Sequence, residues 1–380
     1  MKSSAAPLVT PLPPLQVGDY TLQVPIIQGG MGIRVSAHRL AAAVANAGGA
    51  GIIATVALSL ASKYYHKGKD YFRANIQALV DELNWARDNS PSGIIGTNCM
   101  VAIRDFEAMV RTSVENGAQM IISGAGLPLR LPEFSAANPR TALLPIVSSL
   151  RAATIIAKRW YQQYKRLPDA IVFEDPNTAG GHLGATRQQL FGAEYAMQQV
   201  VPQLAEWAHK SYNDEIPIIA AGGIWDRHDI DHVFAMGARG VQMASRFICT
   251  YECDADEQFK QAFINAAEGD VVIIDSPAGL PGRALNSEFT RKLFRGQEVA
   301  SKCFATCLSQ CRCRDAEETF CIAEALHRAQ QGDLSRGLIF TGTNAIRHKE
   351  MVHVHEIFTE INGTEINGTG ISGQNETPRH

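Results

Sequence analysis

Eight short apolar runs, rich in β-branched residues and each bounded by Gly, Pro or Asn, constrain this chain more than any other feature. They cover 25–28, 51–54, 94–98, 120–123, 144–147, 170–174, 216–220 and 240–243. Apolar and polar residues do not alternate within them, and their polar residues come at the C-terminal end. That pattern marks parallel strands covered on both faces. Between the runs lie stretches suited to helices, at 36–47, 104–116, 150–164, 188–208 and 227–236. Three of them run into Gly48, Gly117 or Gly237, where glycine suits the left-handed residue past a helix end. Eight strands alternating with helices close into a parallel barrel more readily than they spread into an open sheet. The predicted fold is therefore α/β: a (β/α)8 TIM barrel with a C-terminal cysteine-rich helical appendage. Residues 1–19 are expected to form an N-terminal extension and 20–285 the barrel. A cysteine-rich helical region over 286–357 is expected to pack on the barrel, followed by a disordered tail over 358–380.

The 380 residues are 46% hydrophobic and 19% charged, enough for a large core. A formal charge of −3 gives no bulk basic field for nucleic acid. No apolar run approaches the roughly 18 residues that a membrane span needs. The first fourteen residues are proline-rich and lack the apolar region of an export signal. Eight cysteines in such a chain point to a reducing cytoplasm, and clustered ones to a metal rather than to disulfides. The Asn-x-Thr sequons at Asn362, Asn367 and Asn375 are then accidental.

In a barrel the chemistry collects where the strands end. The first strand runs into Gln28-Gly29-Gly30-Met31-Gly32, whose glycines let backbone approach a flat ligand. Asn98 closes the third strand with an amide that both donates and accepts. The sixth ends in Glu174 and leads to Gly180-Gly181-His182, which sets an imidazole on a flexible backbone for proton transfer near neutral pH. His38, His66, His209 and His380 have no such setting and are expected at the surface. The seventh strand leads to Gly222-Gly223 and the eighth to Gln242-Met243-Ala244-Ser245. Small residues after these two strands make the usual phosphate site of a barrel. Asp226 is placed to cap the helix after Gly223.

Beyond the barrel, Cys303, Cys307, Cys311, Cys313 and Cys321 lie within 19 residues. Their spacing puts the first three on one helical face or in a tight loop. Four such thiolates suit an iron–sulfur cluster or a zinc ion. Cys99, Cys249 and Cys253 read as small core residues.

The segments Pro25-Ile-Ile-Gln-Gly-Gly-Met-Gly32, Gly96-Thr-Asn98, Gly180-Gly-His182, Ala220-Ala-Gly-Gly-Ile224 and Gly240-Val-Gln-Met243 resemble one family. It is the nitronate monooxygenase (2-nitropropane dioxygenase) and flavin-dependent enoyl-acyl-carrier-protein reductase superfamily. The resemblance implies FMN held by Gly30, Met31, Gly32, Asn98, Glu174, Gly180, Gly181, Gly222, Gly223, Gln242, Met243, Ala244 and Ser245. His182 falls on the histidine that the family places over the flavin. Two departures stand out. Ala244-Ser245 replaces a Gly-Thr pair common in relatives, and Glu174-Asp175-Pro176 stands where many nitronate monooxygenases have Gln-Gly.

The cysteine run, with Glu252-Cys-Asp254, Ser276-Pro277, Pro281-Gly-Arg283, Phe320-Cys-Ile-Ala323, Phe340-Thr-Gly342 and Val354-His-Glu356, is similar to the acyl-carrier-protein dehydrogenase/isomerase (FabX-like) branch. That likeness implies a [4Fe–4S] cluster on Cys303, Cys307, Cys311 and Cys321. Cys313 is the spare ligand and zinc the alternative metal. It also implies oxidation of an acyl-carrier-protein thioester to the trans-2-enoyl form and its isomerisation to the cis-3-enoyl form for unsaturated fatty acid synthesis, with His182 as acid/base. The alternatives are a nitronate monooxygenase using FMN and O2, and an NAD(P)H-dependent enoyl reductase. The expected partners are a carrier-bound acyl chain or a small nitronate, O2 as one electron acceptor, and a homodimer as one possible assembly. Lys158, Arg159, Lys165 and Arg166, together with Arg283, are the candidates for meeting the acidic carrier protein or the pantetheine phosphate.

Overall fold

The computed structural model describes residues 9–66, 70–212, 216–297, 299, 302–316 and 320–363. The eight runs become β1 (Ile26–Gln28), β2 (Ala50–Ala54), β3 (Ile94–Met100), β4 (Met120–Gly124), β5 (Ala142–Val147), β6 (Ile171–Glu174), β7 (Ile218–Ala221) and β8 (Gly240–Met243). They form one closed barrel in chain order, and β8 returns to β1 through Val241 opposite Ile26. The expected (β/α)8 barrel is the observed architecture.

Successive residues explain why the runs are continuously apolar. Ile27, Ile52, Ile122, Leu144, Val172 and Ile219 fill the barrel interior. Their neighbours Ile26, Ile53, Ile121, Leu143, Ile171 and Ile218 face the layer of helices. Both sets are almost fully buried, and each such side chain contributes about 1.5–3 kcal/mol. A hairpin of Leu15–Val17 and Tyr20–Leu22 turns at Gly18 (φ +56) and adds Leu15, Val17 and Leu22 to the interior core. Part of the predicted N-terminal extension is thus the plug at the amino end of the barrel.

The helices are α1 (His38–Asn46), α2 (Tyr71–Asn89), α3 (Phe106–Glu115), α4 (Leu131–Phe134), α5 (Leu150–Tyr164), α6 (Met197–Tyr212), α7 (Arg227–Ala235) and α8 (Glu257–Ile264). The sequence reading did not include α2, because buried polar residues interrupt its apolar face. Asn75 accepts from Ser59 N–H (2.8 Å) and donates to Asp105 (2.9 Å). Glu82 binds Arg34 at 2.8 Å and His38 at 2.7 Å, so His38 is half-buried rather than at the surface. The helix predicted over 188–208 begins only at Met197, since Phe191 has a φ of +66 and Gly192 follows it. Asp226 caps α7 as expected, accepting from Asp229 N–H at 3.1 Å.

After α8 the chain forms a hairpin, Val271–Asp275 with Pro281–Leu285, and then α9 (Glu288–Phe294), α10 (Arg312–Asp315), α11 (Ile322–Gln330) and α12 (Val354–Asn362). The span 286–330 is therefore only partly helical. Residues 302–311 are irregular, with Thr306 at φ +46. Helix α12 also runs through residue 358, where the disordered tail is expected to start, to Asn362. Phe358 and Ile361 continue its apolar face into the core, and the Asn362 side chain accepts from Leu12 N–H at 2.7 Å. Residues 364–380, with Asn367, Asn375 and His380, lie outside the described residues. Among those described, no helix is long and apolar enough to cross a membrane.

Candidate active site

A cavity of about 560 Å³ opens at the carboxyl ends of the strands. Every residue expected at the flavin lines it: Gly30, Met31, Gly32, Asn98, Glu174, Gly180, Gly181, Gly222, Gly223, Gln242, Met243, Ala244 and Ser245, with His182 among them. The fold reason is simple. Each residue sits at, or just beyond, the end of a barrel strand, so parallel closure brings distant positions to one mouth.

Part of the barrel side of the cavity is made of backbone and small residues. Gly222 and Gly223 have φ values of +95 and +71, and a side chain on either would press into Thr178. A Cβ on Gly180 would lie 2.5 Å from Gly342 N, and one on Gly30 would collide with the Asn98 side chain. Gln242 Oε1 and Thr178 Oγ1 are buried without a protein partner, on residues that line the cavity. Unsatisfied polar atoms of this kind cost about 1–3 kcal/mol each unless a ligand or water meets them. A glycine cradle with unused polar atoms fits a flat, phosphorylated ligand such as FMN.

His182 is held firmly, which corrects the expectation of a flexible backbone. Gly181–His182 form the edge of a three-stranded sheet with the 271–285 hairpin: His182 lies opposite Gly282, and Leu183 N–H donates to Pro281 O at 2.9 Å. The imidazole Nε2 is 2.7 Å from Ser276 Oγ, and Phe340 stands edge-on at 5.1 Å. Burial pushes the imidazole pKa down to about 4, so the ring is neutral at physiological pH. Burial pushes Glu174, at the end of β6, up to about 7.

Arg283 does not face a partner or a phosphate. It is 2% exposed and donates to the carbonyls of Ala179, Asn177 (3.0 Å) and Pro176 (3.3 Å), locking the loop that delivers His182. The basic run on α5 also misses the mouth. Arg166 binds Thr141 O at 2.6 Å and Asp169 at 3.0 Å, and with Lys165 it borders a groove beside Pro13 and Pro14 at the amino end of the barrel. A helix after a barrel strand returns to the amino end, so its last residues cannot border the opening.

The opposite side of the cavity comes from the C-terminal region. Leu308, Ile322, Leu326, Leu338 and Phe340 line it, with Cys307. The cysteine loop is stitched to the segment after β3: Arg104 N–H donates to Cys307 O, and Ser309 N–H to Ala102 O, both at 2.9 Å. Cys307, Cys311, Cys313 and Cys321 are buried and Cys303 is partly so. Burial and the neighbouring thiols raise Cys307 and Cys313 to about 12, a repulsion that a shared cation would relieve. Among the described residues no three of these sulfurs lie within 4.8 Å of one another. Cys99, Cys249 and Cys253 are buried and pushed up to about 11–12 by burial, as core thiols should be.

Sequence reasoning did not assign a site role to Ser276 or the 341–344 loop. The last joins the cavity beside β8, where Gly342 N–H donates to Ser245 Oγ at 3.3 Å. Ser276-Pro277 and Phe340-Thr-Gly342 were visible as segments of likeness, but nothing local marked them as parts of a site.

The family model described as "Nitronate monooxygenase" matches residues 15–363. A Mycobacterium tuberculosis protein named "(3aS,4S,5R,7aS)-5-hydroxy-7a-methyl-1-oxo-octahydro-1H-indene-4-carboxyl-CoA dehydrogenase" is 27% identical over 73% of this chain and 67% of its own length. A "Probable nitronate monooxygenase" of Staphylococcus aureus is 28% identical over 72% of this chain and 78% of its own. The solved structure of FabK from Thermotoga maritima superposes with a TM-score of 0.66 at 26% identity, covering 89% of this chain and 91% of that one.

Proposed function

The chain belongs to the nitronate monooxygenase family and is an oxidoreductase, and from that premise we propose that it oxidises a saturated medium-chain acyl thioester on acyl carrier protein, using FMN, with His182 as acid/base. The observation that carries this reading is the apolar wall of Leu308, Ile322, Leu326, Leu338 and Phe340 in the same cavity as His182. An alkyl chain gains about 0.8 kcal/mol per methylene against such a wall, whereas a small nitronate has no use for it. The M. tuberculosis relative supports the class, since its name is that of an acyl-thioester dehydrogenase.

Gly222, Gly223, Ala244 and Ser245 would hold the FMN phosphate. Gly30, Met31, Gly32, Asn98, Glu174, Gly180, Gly181, Gln242 and Met243 would hold the rest. FMN supplies the acceptor for a hydride from the β carbon. His182, neutral because it is buried, takes the α proton as the double bond forms, which gives the trans-2-enoyl thioester. Once that proton has passed to solvent, His182 takes a proton from the γ carbon and returns it to the α carbon, giving the cis-3-enoyl form. Cys303, Cys307, Cys311 and Cys321 would hold a [4Fe–4S] cluster, with Cys313 in reserve. Dioxygen or another acceptor then reoxidises the enzyme.

The second reading, oxidation of alkyl nitronates, is favoured by the family description and the S. aureus relative. Turnover of decanoyl-acyl carrier protein and of propionate 3-nitronate, each followed by mass spectrometry, separates the two. The acyl substrate is expected to yield both enoyl products, and His182→Ala to lower the rate by about 10²–10⁴-fold. Turnover of the nitronate alone, or full acyl activity in His182→Ala, would overturn the reading.

A further inference from the structure

We propose that Ser276 is the positioning residue of His182: its Oγ accepts from imidazole Nε2–H and leaves Nδ1 as the nitrogen that exchanges protons. Ser276 is 2% exposed and does not line the cavity, whereas His182 does. The bond at 2.7 Å therefore approaches the ring from behind. An imidazole has two nitrogens, and occupying one from the protein side assigns the other to the substrate.

The direction of the bond comes from the reaction cycle. After taking a proton the imidazolium donates from both nitrogens, so any partner of Nε2 must then accept. A hydroxyl that already accepts from Nε2–H in the neutral ring needs no reorientation when charge appears. Fixed dipoles of this kind support catalysis because they cost no reorganisation. Ser276 Oγ is itself fixed: it accepts from Ala278 N–H at 3.2 Å, and the turn closes through Gly279 N–H to Ser276 O at 3.0 Å.

Charged groups on the surrounding elements are engaged elsewhere or lie across the cavity. Arg283, next to Gly282, points to three carbonyls. Asp275, beside Ser276, pairs with Arg187 at 2.7 Å. Glu174 stands on the barrel wall. The turn is tethered on its far side by Arg312 N–H donating to Pro277 O at 2.9 Å. Arg312 lies between Cys311 and Cys313, so the cysteine loop and His182 hold the same five-residue turn.

The inference rests on the acid/base reading of His182, and its test separates the two. Nitrogen-15 NMR of histidine-labelled holoenzyme, with His182→Gln to assign the signal, reports the tautomer without any substrate. The wild type is expected to carry its proton on Nε2 at neutral pH, and Ser276→Ala to become a mixture of tautomers. Turnover of Ser276→Ala should fall about 10–100-fold with KM little changed. The acid limb of its pH profile should move to lower pH, because the imidazolium has lost an acceptor. Ser276→Thr keeps the hydroxyl and should recover most of the rate. A wild-type proton on Nδ1, or a tautomer and pH profile indifferent to Ser276→Ala, would overturn the proposal. A tautomer that responds while no substrate's turnover does would uphold the positioning and remove His182 from catalysis.

Discussion

The two sides of the cavity are made by different means. The barrel side uses strand ends and a run of glycines that expose backbone amides, with side chains such as Met31, Val56, Met100 and Ile146 between them. The C-terminal side uses Leu308, Ile322, Leu326 and Leu338, with Cys307 beside them. The first side suits a group common to a whole family of enzymes, and the second suits whatever one member acts upon. On the proposed reading, cofactor binding and substrate binding fall to separate parts of the chain and should fail separately.

The largest separate effect is expected on the barrel side. Gly222→Val places a branched side chain at φ +95 with a Cβ 2.9 Å from Thr178 Oγ1, a strain of about 1–3 kcal/mol before any clash with ligand. Purified protein should retain little flavin while the cysteine loop keeps its metal. Iron retained and flavin lost is the signature; loss of both would mean that the two sides are one cooperative site. Cys307→Ser with Cys311→Ser tests the converse. Anaerobically purified wild type should hold about four irons per chain, and the double variant almost none, with flavin unchanged. A third substitution, Leu326→Glu, puts a charge on the apolar wall. The KM for decanoyl-acyl carrier protein should rise on the order of tenfold, about 1.4 kcal/mol, and flavin content should not change.

The smallest effect belongs to Glu174. Burial raises its pKa from 4.5 to about 7, so the folded protein holds the proton more tightly than the unfolded chain does. Its contribution to stability is complete below pH 4.5 and is lost as pH rises through about 7. Glu174→Gln should match wild type in thermal melts at acid pH and exceed it above neutrality. Equal melts across the range would mean that Glu174 has a partner stabilising its charged form.

The same division decided how much could be read in advance. Positions on the barrel side are local in sequence: a β-branched run, then Gly222-Gly223 or Gly180-Gly181-His182, announces a strand end and the loop after it. Every residue so marked lies at the mouth. The C-terminal side is non-local. Ser276 reaches His182 across 94 positions, and Gly342 reaches Ser245 across 97, with no periodic pattern to link them. Arg283 was misread for a related reason: a basic residue in a Pro-Gly-Arg turn looks exposed until the carbonyls of Pro176, Asn177 and Ala179 are folded against it. Helix α2 escaped notice because Asn75 and Glu82 are satisfied by distant partners rather than by water.

We propose that a flavin held by the barrel side oxidises an acyl chain lying on the C-terminal side, with His182 between them. Anaerobic mixing of holoenzyme with decanoyl-acyl carrier protein, followed by absorbance, is the decisive experiment. The oxidised-flavin band is expected to bleach in wild type and to persist in His182→Ala. Persistence in wild type with the acyl substrate, alongside rapid bleaching by propionate 3-nitronate, would contradict it.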